Sequence, residues 1–357
     1  MTYSLWHIAW ILDPDTHALY TIILNKIQTG VARRGNETIL MESKQSKPKA
    51  IVLCGPTGIG KTSFAIELAK LFKGEIVGAD SMQIYRHMDI GTAKPTPAER
   101  STIRHHMVDI VDPDEPFDAE TYATQALSIV MALQKQEVLP FVVGGTGLYI
   151  KSLLYGLFDI RPADQEVRIR LKQEAEKEGG AVLYERLKKV DPVTAGKVHI
   201  NDTYRIVRAL EVYETSGTPI SEFQQRHGFQ KSRLTPLKFG LHMQREQLYD
   251  RIDERVDMMI QAGFLDEVKY LRDAGYVSGL KSMQSLGYRH MFDFLDGRLD
   301  WPETIRTLKR DTRRYAKRQM TWFKADKEIT WVDPVVSSEV ENRIRKFLSD
   351  PSETRTG

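Results

Sequence analysis

Gly55-Pro56-Thr57-Gly58-Ile59-Gly60-Lys61-Thr62 is the stretch that decides the fold. It has the spacing Gly, four residues, Gly-Lys-Thr, and the flanks that a phosphate-binding loop needs. Ahead of it, Ala50-Ile51-Val52-Leu53-Cys54 is a short apolar run that suits a buried parallel strand. Behind it, Ser63 to Phe72 carries apolar residues at helical spacing. Strand, tight Gly loop and helix gather backbone N–H groups and a positive helix end around one anion. Lys61 adds a mobile cation, and the Thr62 hydroxyl is placed to hold a magnesium ion. The ligand is therefore a diphosphate or triphosphate, with the reaction left open.

The rest of the chain extends this core. Glu75 to Asp80 reads as a second strand, and a residue at the carboxyl end of a parallel strand, here Asp80, faces the ligand crevice. Met88 to Pro95 is a loop by its Gly and Pro content. Met107 to Ile110 reads as another strand. The preceding His105 and His106 point opposite ways on a strand and read as structural rather than metal-binding. Ala119 to Gln134 is a helix by pattern. Val138 to Val143 is a strand that runs into a second Gly-rich turn, Gly144-Gly145-Thr146-Gly147, bringing Thr146 to the same sheet edge as the phosphate loop. Lys238 to Met243 resumes strand character and puts Arg245 where a strand meets the crevice; Ile329 to Val332 is the last strand. The predicted fold is α/β: a P-loop core with a mainly parallel sheet flanked by helices, plus an all-helical insertion.

Five segments follow. Residues 1–48 form an N-terminal extension outside the ordered core; Met41 opens a polar lead-in and is read as the true start, against a small docked helix or hairpin over 1–40. Residues 49–160 are the first part of the core. Residues 161–233, where strand signals stop, are a charged helical insertion, with Asn201 or Asp202 capping a helix that runs to about Ser216. Residues 234–335 complete the core, and 336–357 read as a tail. The chain has 357 residues, a net charge of +3 and one cysteine, Cys54. That excludes a disulfide framework or a Cys-rich zinc site and suits a reducing cytoplasm. No apolar run approaches the roughly 20 residues that span a bilayer.

From Thr304 to Lys324, eight Lys or Arg face one acid, Asp311, with Tyr315, Trp322 and Phe323 interleaved. Basic charge attracts phosphates, and aromatics stack on unpaired bases. Arg313, Arg314, Lys317 and Arg318 are the expected phosphate contacts. A small-molecule or nucleotide kinase would share the loop, the magnesium and Asp80, but leaves this helix and the insertion without a role. A non-catalytic RNA-binding module leaves Lys61, Thr62 and Asp80 without one.

From Lys49 to about Asp333 the chain resembles the bacterial tRNA dimethylallyltransferase (isopentenyl-diphosphate:tRNA transferase) family. The likeness rests on Gly55–Thr62, Asp80–Tyr85, Met88–Pro95, Gly144–Tyr149, Asn201-Asp202 with Arg205, Leu286–Arg289 and Lys317–Trp322. Residues 1 to about 40 have no counterpart, and the zinc finger of eukaryotic relatives is absent. The resemblance implies transfer of a dimethylallyl group from its diphosphate to the exocyclic amine of the adenosine 3′ of a tRNA anticodon, with diphosphate leaving. Prenylation of free adenine nucleotides is a close variant that the tRNA-facing segments argue against. Asp80 is the expected proton acceptor. Lys61, the loop N–H groups, magnesium at Thr62, and Arg245 are expected to stabilise the leaving diphosphate, and Thr146 to orient diphosphate or adenine. By the same likeness Asp80, Ser81, Met82, Gln83, Thr146, Arg168, Tyr204, Arg205, Ile206, Val207 and Arg208 face the tRNA anticodon stem-loop. So do Gln284, Ser285, Leu286, Gly287, Tyr288 and Arg289, and Lys317, Arg318, Gln319, Met320, Thr321, Trp322, Phe323 and Lys324. The adenine must leave its stack to react. The resemblance also implies a monomer.

Overall fold

The structure, a computed structural model, describes residues 47–157, 164–334 and 337–350. The expectations for residues 1–46, for the boundary at 160–161 and for 351–357 lie outside the described residues. Strands and helices alternate at first: β1 (Lys49–Cys54), α1 (Lys61–Leu71), β2 (Gly74–Gly78), α2 (Pro97–Thr102), β3 (His105–His106), α3 (Ala119–Lys135), β4 (Leu139–Gly144) and α4 (Gly147–Tyr155). A strand-free stretch follows: α5 (Gln165–Glu178), α6 (Gly180–Val190), α7 (Pro192–Ala195), α8 (Thr203–Ser216) and α9 (Ile220–His227). The chain then returns through β5 (Thr235–Leu241), α10 (Arg245–Gln261), α11 (Phe264–Asp273), α12 (Tyr288–Leu295), α13 (Trp301–Lys324), β6 (Thr330–Val332) and α14 (Ser337–Ser349).

The six strands form one sheet in the order β3-β2-β4-β1-β5-β6, and every pairing is parallel. β1 lies inside it, with Ile51 opposite Phe141 on one side and Leu237 on the other. Both faces of β1 are covered, which is why its sequence is apolar without alternation. Ala50, Val52 and Cys54 pack with Tyr122 and Ala126 of α3 and Leu153 of α4. Ile51 and Leu53 pack with Phe64 and Leu68 of α1 and Ile344 of α14. Such a parallel arrangement sends every strand's carboxyl end to one edge, where the loops collect.

The strand-free stretch has a core of its own, built from Leu171, Leu183, Leu187, Ile206 and Leu210. Asp164 caps α5 by accepting the N–H groups of Glu166 and Val167, and Asp202 caps α8 by accepting that of Arg205 at 3.1 Å. α13 starts at Asp300, which accepts the Glu303 N–H at 2.8 Å, and its buried stripe includes Thr304, Leu308, Ala316, Gln319 and Phe323. That stripe fixes which side of the helix carries its charges.

Two expectations are corrected. The strand expected at Met107–Ile110 is displaced to His105–His106. Met107 and Asp109 have φ of 61° and 56°, which breaks extended pairing and turns the Asp109 carboxylate onto Lys94 and Arg100. The expected tail holds α14 instead. Val340, Ile344 and Phe347 recur on one helical face and are buried, and the Lys49 ammonium donates to the carbonyls of Phe347 (2.6 Å) and Asp350 (3.0 Å). His106 is indeed structural: its Nε2 lies 2.6 Å from Glu75.

Candidate active site

At the carboxyl edge of the sheet a cavity of about 650 Å³ opens between the phosphate loop, α10 and α13. Thr57, Gly58, Gly60, Lys61 and Thr62 line it. Ile59 is fully buried beneath them and anchors the loop. The Lys61 ammonium folds back and donates to the Pro56 carbonyl at 2.8 Å. Burial pushes its pKa down to about 8; Asp80 opposes that shift and Arg255 reinforces it. An anion placed in the loop would favour the charged ammonium again.

Asp80 sits just past the end of β2. Its Oδ1 accepts the N–H groups of Met82 at 2.9 Å and Gln83 at 3.4 Å, so the carboxylate shapes its own turn. Its Oδ2 has no hydrogen-bond partner among the described residues. Thr146, in the second Gly turn, accepts the Ser81 N–H at 3.0 Å and donates to the Ser81 hydroxyl at 3.3 Å. Its own N–H donates to the Ala79 carbonyl at 3.1 Å. The two turns are thus joined at the corner that presents Asp80. Tyr315 of α13 also lines the cavity, and burial, with Asp80 second, raises the pKa of its hydroxyl.

Ser81, Met82 and Gln83 line the cavity with Asp80. The Gln83 amide donates to the carbonyls of Thr92 (3.2 Å) and Ala93 (3.1 Å), tying the 88–95 loop to this corner. The wall facing the phosphate loop is apolar: Ile252, Val256 and Met259 of α10, Phe264 of α11, Leu286, and Leu308 of α13. Into this wall projects Arg255, whose pKa is lowered by burial against the pull of Asp80. Arg245 is not in the site. It is exposed at the first turn of α10, with its guanidinium 5.1 Å from the Tyr249 ring centre. The strand end lies at Leu241, so Arg245 is already on the outer face of the helix. Arg255 has a signal in the sequence: it lies three residues past Ile252, a cation on the apolar Leu248–Ile252–Val256 stripe.

A second cavity of about 880 Å³ lies beyond the Gly turn, lined by Gly147, Tyr155, Arg205, Phe229, Thr321 and Trp322 among others. Arg318 lines both cavities. Trp322 packs so closely over Gly147 that a Cβ there would overlap the indole. Of the α13 set, Lys317, Arg318, Thr321, Trp322 and Lys324 are exposed, and Met320 is half-buried. Phe323 is buried in the core. Gln319 is buried too, bridging the phosphate loop and the second Gly turn; Gln319 lines the first cavity and Phe323 the second.

Several charges of α13 are answered within the protein. Arg313 pairs with Asp253 at 2.5 Å and Lys309 with Asp257 at 2.6 Å. Asp311 accepts from Arg289, Arg310 and Arg314, and its pKa is held at about 2, above all by the Arg310 hydrogen bond. Lys317, Arg318 and Lys324 have no acidic partner among the described residues.

The insertion residues divide in the same way. Tyr204 is 74% exposed and Arg205 reaches the second cavity while pairing with Asp202. Ile206 and Val207 are buried in the insertion's core. Arg168 and Arg208 both pair with the buried Glu211, at 2.8 and 2.6 Å. In the 284–289 stretch, Ser285, Leu286, Gly287 and Arg289 line the first cavity. Gln284 is exposed and donates to the Ser278 carbonyl, and Tyr288 is buried with its hydroxyl donating to Glu267.

Among the described residues, no group of three or more His, Cys, Asp or Glu could hold a metal ion. Magnesium held through phosphate oxygens and water needs only one or two protein oxygens, and the Thr62 hydroxyl lines the cavity at the helix start. Among the described residues, no helix is long and apolar enough to cross a membrane.

The family model described as IPP transferase matches residues 83–326. A tRNA dimethylallyltransferase from Desulfosudis oleivorans is 54% identical over 304 residues, covering 85% of this chain and 97% of that protein. Another, from Syntrophobacter fumaroxidans, is 50% identical, covering 85% and 89%. The crystal structure of a tRNA isopentenylpyrophosphate transferase from Bacillus halodurans matches with TM-score 0.62 at 39% identity, covering 86% of this chain and 97% of that one. A eukaryotic dimethylallyltransferase acting on tRNA matches with TM-score 0.69 at 29% identity, covering 84% and 77%. With a parallel sheet, a phosphate loop and a two-sided site in the same chain, this protein belongs to the tRNA dimethylallyltransferase (IPP transferase) family.

Proposed function

We propose that the protein transfers a dimethylallyl group from dimethylallyl diphosphate to the exocyclic amine of the adenosine 3′ of the anticodon in tRNA. One observation carries the donor side. A single cavity joins a phosphate loop to an apolar wall, with an unshared Asp80 carboxylate oxygen beside them. The diphosphate rests on Gly55–Thr62, and the prenyl tail lies along Val256, Met259, Leu286 and Leu308. The adenine, flipped from its stack, approaches from the second cavity past Arg318.

The amine nitrogen attacks the first carbon of the prenyl chain. The bond from that carbon to the diphosphate oxygen breaks, and both its electrons leave with diphosphate. Asp80 accepts the proton from the amine. Lys61, Arg255 and the loop N–H groups meet the charge that grows on the leaving group. Magnesium, held at Thr62, would supply further positive charge to the diphosphate. Thr146 keeps the Asp80 turn in register with the second Gly turn. Lys317, Arg318, Trp322, Tyr204 and Arg205 form the tRNA surface. The enzyme works as a cytoplasmic monomer.

The test is purified protein with magnesium, unmodified tRNA and dimethylallyl diphosphate, without ATP. The expected result is diphosphate release and tRNA heavier by one prenyl group per chain, on the adenosine 3′ of the anticodon. Unchanged tRNA mass alongside ATP turnover with a small acceptor would replace this reading with a kinase.

A further inference from the structure

A carboxylate behind the first cavity has no part in the proposed reaction. Glu267, on the first turn of α11, faces the back of the cavity wall. Its Oε2 accepts the N–H groups of Asp89 at 2.9 Å and Ile90 at 2.7 Å. Its Oε1 accepts the N–H of Gly91 at 3.1 Å and the Tyr288 hydroxyl at 2.6 Å. Three successive N–H groups form a concave nest of the kind that binds anions, and here a side chain fills it. The opposite end of this loop is fixed by the buried Lys94 ammonium, which donates to the Tyr85 carbonyl at 2.8 Å and pairs with Asp89 and Asp109.

The groups Glu267 holds lie in or next to two separate walls of the cavity. Gly91 to Thr96 form one; Ser285, Leu286 and Gly287, directly before Tyr288, form the other. Phe264, three residues back at the start of α11, lies between them, against both Gly91 and Gly287. Gly91 is pressed against the rings of Phe264 and Tyr288 so closely that a Cβ would overlap both. One carboxylate therefore ties two chain segments, nearly 200 positions apart, to the helix that carries Phe264. It touches neither the phosphate loop nor the exposed face of α13.

Building on the function proposed above, we propose that Glu267 is a positioning residue that fixes the width of the prenyl-tail pocket, and so the preference for a five-carbon donor. Both carboxylate oxygens are in use. A glutamine keeps the size, but it turns one of its two oxygen positions into a donor facing N–H and O–H donors. That end of the clamp opens, and a longer prenyl chain gains room.

The experiment compares wild type, Glu267→Gln, Glu267→Asp and Tyr288→Phe with dimethylallyl and geranyl diphosphate as donors and unmodified tRNA as acceptor. Wild-type turnover of dimethylallyl diphosphate is the control; its absence would overturn the proposed function itself and leave the clamp without a donor to select. With that control active, E267Q should raise the KM for dimethylallyl diphosphate by on the order of tenfold, with a smaller change in kcat. It should also narrow the preference for dimethylallyl over geranyl diphosphate. The Kd values for inorganic diphosphate and for tRNA should stay at wild-type levels. E267D, which keeps both oxygens, should recover part of the preference. If E267Q does not fold, Tyr288→Phe removes one of the four hydrogen bonds while keeping the ring, and should shift the donor preference the same way to a smaller degree. An unchanged donor preference in the folded variants, or equal losses with both donors, would overturn the inference.

Discussion

The side-chain oxygen of Gln319 accepts the Thr57 N–H at 2.9 Å, so a residue of the basic helix holds the floor of the phosphate loop. The same amide donates to the Gly145 carbonyl at 2.9 Å from its other end. No other residue type of this size offers an acceptor and a donor in that arrangement.

Gln319→Glu should therefore be worse than its size suggests. It keeps the acceptor for Thr57 but turns the donor at Gly145 into an oxygen facing a carbonyl in a buried place. We expect a loss of about 1–3 kcal/mol in stability and weaker binding of dimethylallyl diphosphate. Chemical denaturation and donor titration would check both; a variant of wild-type stability would show that the bridge is dispensable.

Asp80→Asn should act on turnover. It keeps an oxygen for the Met82 N–H, so the turn survives, but it cannot accept the amine proton. We expect kcat to fall by roughly 10²–10⁴ with tRNA affinity close to wild type. Single-turnover prenylation with saturating substrates measures this, and near-normal rates would remove Asp80 from proton transfer.

Lys61 makes donor binding pH-dependent. Burial pushes its pKa down to about 8, so above that pH the amine is increasingly neutral. A bound diphosphate favours the ammonium and raises its pKa, so binding takes up a proton above pH 8 and the Kd rises with pH there. Below pH 8 the lysine is already charged and this dependence disappears. Subtracting the profile of Lys61→Met removes the ligand's own titration. Calorimetry in buffers of differing ionisation enthalpy should show proton uptake at pH 8.5 in wild type alone; equal uptake in both proteins would count against the assignment.

The basic helix should divide by pairing rather than by position. Lys317 and Arg318, without an acidic partner among the described residues, should contact phosphate. Replacing both with Ala should weaken tRNA binding and lower its salt slope by about 2, one for each phosphate contact. Arg313→Ala should leave the slope unchanged, because its charge is already spent on Asp253. Filter binding over a salt series distinguishes them, and equal slopes in all three proteins would mean that this face does not meet RNA.

Ile344→Ala tests the last helix. Ile344 is fully buried against the sheet. Its truncation should cost about 2–5 kcal/mol while leaving the rate per folded molecule intact. A negligible change in denaturation midpoint would mean that α14 adds nothing to the core.

The sequence was most legible where local chemistry is strict. The Gly loop, the apolar strand before it and the Asp80 strand end all follow from spacing. So does the Thr146 turn, because two strand-to-helix turns on a parallel sheet must share an edge. Legibility failed where a partner is distant in the chain. Nothing local says that Gln319 reaches Thr57 and Gly145, or that Arg313 is held by Asp253. Arg168 and Arg208 look like solvated or RNA-facing charges until Glu211 is seen buried between them. Nearness to a strand end points Arg245 toward the crevice, but a helix turns a side chain away within a residue or two, and Arg255 takes the inner position instead. Ile206 and Val207 sit within a motif-bearing stretch, yet their apolar character already marked them for the core. The Val340–Ile344–Phe347 spacing of α14 was readable as an amphipathic helix; the polar residues around it hid the pattern.

The position of β1 has a consequence for how the protein comes off the ribosome. This strand emerges first among those described, but its neighbours, β4 and β5, lie at residues 139–144 and 235–241. A nascent chain therefore carries an apolar, half-paired strand until residue 241 has cleared the exit tunnel. The insertion, with its own apolar core between those neighbours, can condense earlier. The helices of the insertion thus form before the phosphate loop has a floor. Slow elongation through β5 would prolong the interval in which β1 is open to wrong partners.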